Sequence, residues 1–223
     1  SKLTIKKISQ SNKDLVLDGH KLKLKKVFVN KKKVDLKKLE ITDQKLKIPN
    51  SIYKSDQFSL EIETEINPIK NTELEGIYIS ENIFCSQCEA EGFRKITYFL
   101  DRPDILSIFS VKLIGKYKYM LSNGNILNKG KNFVEWYDPW PKPSYLFAIV
   151  AGDLEVYEDH FVTKSQKKII LKIFVQKGKK QFCKHAMNSL KKAMKWDEDK
   201  YGLEYDLNNF MIVAINDFNM GAM

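Results

Sequence analysis

Alternation of apolar and polar residues governs the first seventy positions. The stretch Phe58-Ser59-Leu60-Glu61-Ile62-Glu63-Thr64-Glu65-Ile66 keeps this alternation throughout, which is the period of a half-buried strand. Leu15-Val16-Leu17 before Asp18-Gly19, the pairs Leu22/Leu24 and Val27/Val29, and the pairs Leu39/Ile41 and Leu46/Ile48 predict further strands, with Asn30-Lys31-Lys32-Lys33 as a hairpin turn. Each strand hides one face and shows Lys or Glu on the other. The expected fold is therefore mainly β, beginning with an antiparallel β-sandwich-like domain.

Beyond a break at 68–71, short strands are expected at 76–79, 106–113 and 133–137. Ser122-Asn123-Gly124-Asn125 predicts a hairpin turn, since Asn-Gly accepts positive φ at both central positions. Pro139, Pro141 and Pro143 predict a stiff extended connection. Residues 145–151 are nearly all apolar and predict a strand buried on both faces. Residues 93–100 fit a short helix or a strand equally. Strands follow at 154–157, 169–175 and 210–215. One helix is expected over 180–200, with Phe182, Ala186, Leu190, Ala193 and Met194 on its buried face and Gly202 as its stop.

Composition narrows the function classes. Hydrophobic residues are 43% of the 223, enough for a packed core rather than a disordered chain. No apolar run approaches the roughly 20 residues of a membrane helix. The opening Ser1-Lys2-Leu3-Thr4-Ile5-Lys6-Lys7 lacks the apolar centre of a signal peptide, so the expected location is cytoplasmic. The net charge of +10 raises the question of an anionic partner. Arg is scarce, however, and few aromatics interleave with the lysines, so solvated strand faces explain the charge better than a nucleic-acid surface. Cys85-x-x-Cys88, with or without Cys183 and His185, could form a redox pair or part of a zinc site. The alternative is three reduced, partly buried thiols, and C-x-H makes a poor ligand knuckle.

The chemistry concentrates in Phe84-Cys85-Ser86-Gln87-Cys88-Glu89-Ala90-Glu91-Gly92-Phe93-Arg94. Two carboxylates, an amide and a guanidinium stand among small residues, a mixture suited to gripping a charged ligand. Glu89 or Glu91 could hold an ammonium group, with Gln87 as a second acceptor. Equally, Glu89 and Glu91 could pair with Arg94 or Arg102 and merely tie down a loop.

Several motifs follow in a fixed order. They are Gln87-Cys88-Glu89-Ala90-Glu91-Gly92-Phe93-Arg94, Leu100-Asp101-Arg102-Pro103-Asp104, Leu121-Ser122-Asn123-Gly124-Asn125, Asp138-Pro139-Trp140-Pro141-Lys142-Pro143, Met194-Lys195-Trp196-Asp197-Glu198, Tyr201-Gly202-Leu203-Glu204-Tyr205-Asp206-Leu207 and Asn219-Met220-Gly221-Ala222-Met223. The series resembles the aminopeptidase N family of zinc aminopeptidases, in its bacterial alanyl-aminopeptidase branch. The resemblance is dense over residues 72–223 and loose over 1–71.

The resemblance implies a division into an N-terminal β-domain, 1–153, and the opening α+β part of a thermolysin-like catalytic domain, 154–223. It implies that Gln87 and Glu89 bind the substrate's amino terminus, that Met220 shapes the first side-chain pocket, and that Gly221, Ala222 and Met223 begin the substrate-lining Gly-Ala-Met-Glu-Asn segment. Glu91, Arg94 and Arg102 become scaffold. The implied cofactor of the parent enzyme is zinc, held by H-E-x-x-H and a further Glu. No H-E-x-x-H occurs here: His20, His160 and His185 stand far apart in sequence. The chain is therefore expected to be an inactive fragment without bound zinc, contributing the amino-terminus recognition site of a peptide-hydrolysing enzyme. Its expected partners are peptides with a free amino terminus, not nucleic acid or membrane. A non-catalytic β-sandwich binding module is the other reading.

Overall fold

The computed structural model describes residues 1–8 and 13–222; Met223 lies outside them. The alternating strand expected at 58–66 is Gln57–Glu65 (β7). Lys2–Lys6 (β1) and Lys23–Val29 (β3) flank it antiparallel, and Lys32–Lys33 (β4) follows β3 at the sheet edge. Asn30 and Lys31, between β3 and β4, have φ of 48° and 65°, the mirror-image turn whose twist suits a hairpin. A second sheet of Leu15–Asp18 (β2), Lys45–Ile48 (β6) and Glu40–Ile41 (β5) covers the first. Leu17, Leu46 and Ile48 meet Val27, Leu60 and Ile62 in one buried cluster. On the outer face Lys23 and Lys25 pair with Glu65, and Lys26 with Glu63. Exposed pairs of this kind add about 0–1 kcal/mol each, so the interior holds the sandwich. A single helical turn, Asn50–Tyr53 (α1), precedes β7.

The central stretch lies in the next layer. Gly76–Ser80 (β8), Ile83–Gln87 (β9), Ile149–Gly152 (β14) and Tyr119–Ser122 (β11) form a four-stranded sheet in the order β11-β14-β9-β8. Ser107–Ile114 (β10), Phe133–Lys142 (β13) and Asn125–Gly130 (β12) form another, with β13 central.

Four expectations change here. Asn123-Gly124 is not a hairpin turn, because β11 and β12 belong to different sheets. Asn123 donates to the Leu146 carbonyl (3.0 Å) and accepts from the Ala148 amide (2.7 Å), tying the crossing to a neighbouring loop. Gly124 has φ +85°, and a Cβ there would meet the Tyr137 carbonyl at 2.2 Å. The proline run is not a separate connection: Pro139 and Pro141 lie inside β13, where the register against β10 shifts, because a residue without N–H cannot keep the ladder regular. Residues 145–151 are not one buried strand; they give a 3-10 turn, Ser144–Leu146, and then β14, whose burial alternates. Residues 93–100 hold only a 3-10 turn, Phe93–Lys95, and a single bridge from Phe99 to Asp18.

In the last third, Glu155–Val162 (β15) and Lys168–Val175 (β16) form a hairpin, and Asn209–Val213 (β17) adds parallel to β16. Parallel strands need a crossover, which Cys183–Tyr201 (α2) supplies. The buried side of α2 is Cys183, Met187, Met194 and Glu198, with Leu190 beside them. Phe182, Ala186 and Ala193 are exposed, against expectation. The regular helix starts at Cys183, one residue after the aromatic, and its apolar stripe follows the 3.6-residue period from there. Gly202 ends the helix at φ +68°, its N–H on the Glu198 carbonyl at 3.2 Å.

One apolar cluster runs across residue 153. Leu154 and Phe174 pack with Tyr78, Ile83, Trp136 and Val150. Burying a Leu or Phe side chain is worth roughly 1.5–3 kcal/mol. A chain ending at Asp153 should thus melt at a lower temperature than residues 1–223, as followed by circular dichroism; equal melting temperatures would show that the cluster stands without them.

The three cysteines occupy three different clusters: Cys85 with Tyr78, Cys88 with Phe93, and Cys183, at the start of α2, with Met187 and Met194. All are free and buried, and burial pushes the Cys85 thiol up to about 11. A thiol reagent near pH 8 should leave all three unmodified in the folded chain and titrate all three in guanidinium. Rapid labelling of the folded chain would contradict this placement.

Candidate functional site

Gln87 is the last residue of β9 and is fully buried. The strand character of 83–87 was not anticipated from sequence, because Ser86 and Gln87 break the apolar pattern. Ser86 is used structurally: its Oγ accepts from the Ile149 amide at 2.8 Å. After Gln87 the chain folds back at once. The Gly92 amide donates to the Cys88 carbonyl at 2.8 Å. A Cβ on Gly92 would meet the Gln87 carbonyl at 2.4 Å, so only glycine lets this loop close over the strand end. Glu89 sits at its tip, half-buried, with a cis peptide to Ala90.

The loop is braced from behind. Phe93 meets Phe99, Phe109 and Phe147 with ring centroids 5.0, 5.8 and 5.0 Å away. Buried Asp101 accepts from Arg94 Nε (2.9 Å), the Arg94 amide (3.1 Å) and Ser144 Oγ (2.5 Å). Arg94 also contacts Glu91 (3.1 Å), while Arg102 pairs with Asp104. The loop-tying alternative therefore describes Glu91 and Arg94 but not Glu89. The Glu89 carboxylate takes part in no hydrogen bond or ion pair among the described residues.

The structure brings residues 216–222 to this site from the far end of the chain. Gln87 Nε2 donates to Asn219 Oδ1 and to Met220 Sδ, both at 2.9 Å. Gln87 Oε1 is buried and has no partner among the described residues. Gly221 and Ala222 continue beyond Met220, exposed and without strand structure; Met223 lies outside the described residues.

Three anchoring residues escaped the sequence reading. Tyr78 Oη donates to the Asp217 carbonyl, and Ser80 Oγ to Asp217 Oδ2, each at 2.7 Å. Ser80 could have been noticed, since it stands on the buried side of the alternating strand β8; Asp217 carries no such signal.

Among the described residues no group of three His, Cys, Asp or Glu could hold a metal ion. His160 lies on β15 beside Asp159, and His185 on α2, while His20 faces Glu73. A cavity of about 250 Å³ lies elsewhere, bounded by Leu121, Ile149, Phe210 and Met211, and neither Gln87 nor Glu89 lines it. Its polar groups are satisfied internally: Asp138 by Lys142 at 2.6 Å, and Tyr205 Oη by the Asn209 carbonyl at 3.0 Å.

Comparison with known proteins gives the family. Residues 1–146 match the Peptidase M1 N-terminal domain. The whole chain is 46% identical to aminopeptidase N of Caulobacter vibrioides, of which it covers 26%. Over 96% of its length it is 48% identical to aminopeptidase N of Escherichia coli, covering 25% of that protein. The chain thus spans about a quarter of the length of the curated relatives it matches. Among solved structures, the aminopeptidase A of Legionella pneumophila in complex with aspartic acid superposes with a TM-score of 0.92 at 33% identity, over 99% of this chain and 27% of that one. A yeast LTA4 hydrolase shares the fold at a TM-score of 0.80 and 19% identity. The chain belongs to the M1 peptidase family, as a segment of the aminopeptidase N type that includes the family's N-terminal domain.

Proposed function

We propose that this chain supplies the amino-terminus recognition site of a zinc-dependent aminopeptidase. The observation that carries it is the pairing of two idle acceptors at one loop. Gln87 Oε1 is buried without a partner, and the Glu89 carboxylate two residues later makes no bond among the described residues. A buried acceptor left unsatisfied costs about 1–3 kcal/mol, and an arriving ammonium would supply the missing donors. A carboxylate and an amide oxygen that grip an ammonium measure one residue from a free amino end, the geometry an exopeptidase needs. Met220, in contact with Gln87, would flank the first side chain of the peptide, with Gly221 and Ala222 continuing along it.

Zinc is implied by the family, where it polarises the scissile carbonyl and activates water. The residues present do not fit that ion: the cysteines lie in separate clusters, and no described group offers three ligands. The chain's part is thus to bind and orient the substrate amine. The division into a β-domain ending near Asp153 and the opening of a thermolysin-like domain belongs to the same proposal. It is supported by the family match ending at 146 and by the change to a parallel pair with its crossover helix after β15.

In an aminopeptidase N that contains this segment, Glu89→Gln keeps shape and removes charge. Charge-assisted hydrogen bonds are worth roughly 1.5–3 kcal/mol, so kcat/KM should fall about ten- to a hundredfold. The melting temperature should not change, since Glu89 holds nothing in the fold. Unchanged kcat/KM would remove Glu89 from the site.

A further inference from the structure

We propose that Asn219 is a positioning residue for Gln87, holding that amide with its carbonyl oxygen turned toward the substrate amine. The inference rests on the amine-binding role proposed for Gln87. A glutamine amide has two orientations of nearly equal shape, related by a half-turn, and its neighbours choose between them. Only one of them serves an ammonium group, which has donors alone: the oxygen must face it.

The neighbours here choose that one. Gln87 Nε2 carries two hydrogens, and its two acceptors, Asn219 Oδ1 and Met220 Sδ, both lie at 2.9 Å. Oε1 is left facing away from them, buried and without a partner among the described residues. Turning Gln87 alone would set its oxygen against the Asn219 oxygen and the Met220 sulfur. It would also aim an N–H pair at the incoming ammonium, donor against donor. Met220 Sδ cannot donate, so it sets the sense of the Gln87 amide, and Asn219 Oδ1, the stronger acceptor, holds the Gln87 N–H in that sense.

Asn219 is itself held in place two residues earlier. The Asp217 carbonyl accepts from Tyr78 Oη and its carboxylate from Ser80 Oγ, while the Asp217 amide donates back to Ser80 Oγ at 3.3 Å. Tyr78 and Ser80 lie on β8, and β8 pairs directly with β9, with Gly76 opposite Gln87. One hairpin thus holds both Gln87 and the segment that orients it. Burial keeps the Tyr78 hydroxyl protonated and so a donor.

Nuclear magnetic resonance of the ¹⁵N-labelled chain reads the orientation directly. Cross-peaks from the Gln87 Nε2 protons to the Met220 methyl group and the Asn219 β-protons are expected. Asn219→Asp, which can only accept, should keep the contact to Met220. Asn219→Leu should lose it, as should Asp217→Ala, with the backbone amide spectrum of β1 to β16 unaltered in each. An undiminished contact in Asn219→Leu, its loss in Asn219→Asp, or Nε2 protons that meet the Glu89 side chain in the unsubstituted chain would overturn the proposal. No amine is added, so the outcome is independent of whether the site binds one; the kinetics of Glu89→Gln decide that question separately.

Discussion

A buried amide oxygen without a partner is the constraint around which this region is built. Folded proteins satisfy almost all buried polar atoms, since each orphan forfeits its hydration for nothing. Gln87 Oε1 is such an orphan among the described residues, yet the nitrogen of the same amide is fully engaged by Asn219 and Met220. The side chain is therefore held firmly with its acceptor idle. An acceptor left idle in a rigid frame can take a donor at little further cost in ordering, because that ordering has been done during folding.

The frame draws on distant parts of the chain. Gly92 lets the loop close on the strand end, the Phe93 ring group supports it, and Asp101 fixes Arg94 from a third direction. Residues 216–220 then arrive from the C-terminal part through Tyr78 and Ser80. The same coupling exists in the apolar interior, where Leu154 and Phe174 complete the cluster around Tyr78 and Trp136. The loop after Gln87 and the segment that faces it thus belong to one packed body, although more than a hundred residues separate Gln87 from Asn219.

Much of the fold was legible because its signals are local. The alternation at 58–66, the Asn30-Lys31 turn, the helix and its Gly202 stop each depend on a few adjacent residues. Two of the misses are cases where a distant partner decides. Asn123-Gly124 has the composition of a hairpin turn, but Leu146 and Ala148 bind the Asn and send the chain to another sheet. Residues 145–151 look uniformly buried because the sequence does not reveal that β14 alternates between two covers. Of the candidate site, Gln87 and Glu89 stood out through family resemblance rather than periodicity. The roles of Ser80 and Asp217 had no local signature, because a serine or an aspartate acquires its partner only when strand and tail meet.

The most direct measurement is a crystal structure of this chain soaked with an amino-acid amide such as alanine amide, whose only cation is the α-ammonium. The ammonium nitrogen is expected about 3 Å from both Gln87 Oε1 and a Glu89 carboxylate oxygen, beside Met220. An ammonium found elsewhere, or a protein donor found on Gln87 Oε1 in that crystal, would contradict the assignment of these two residues as the amine site.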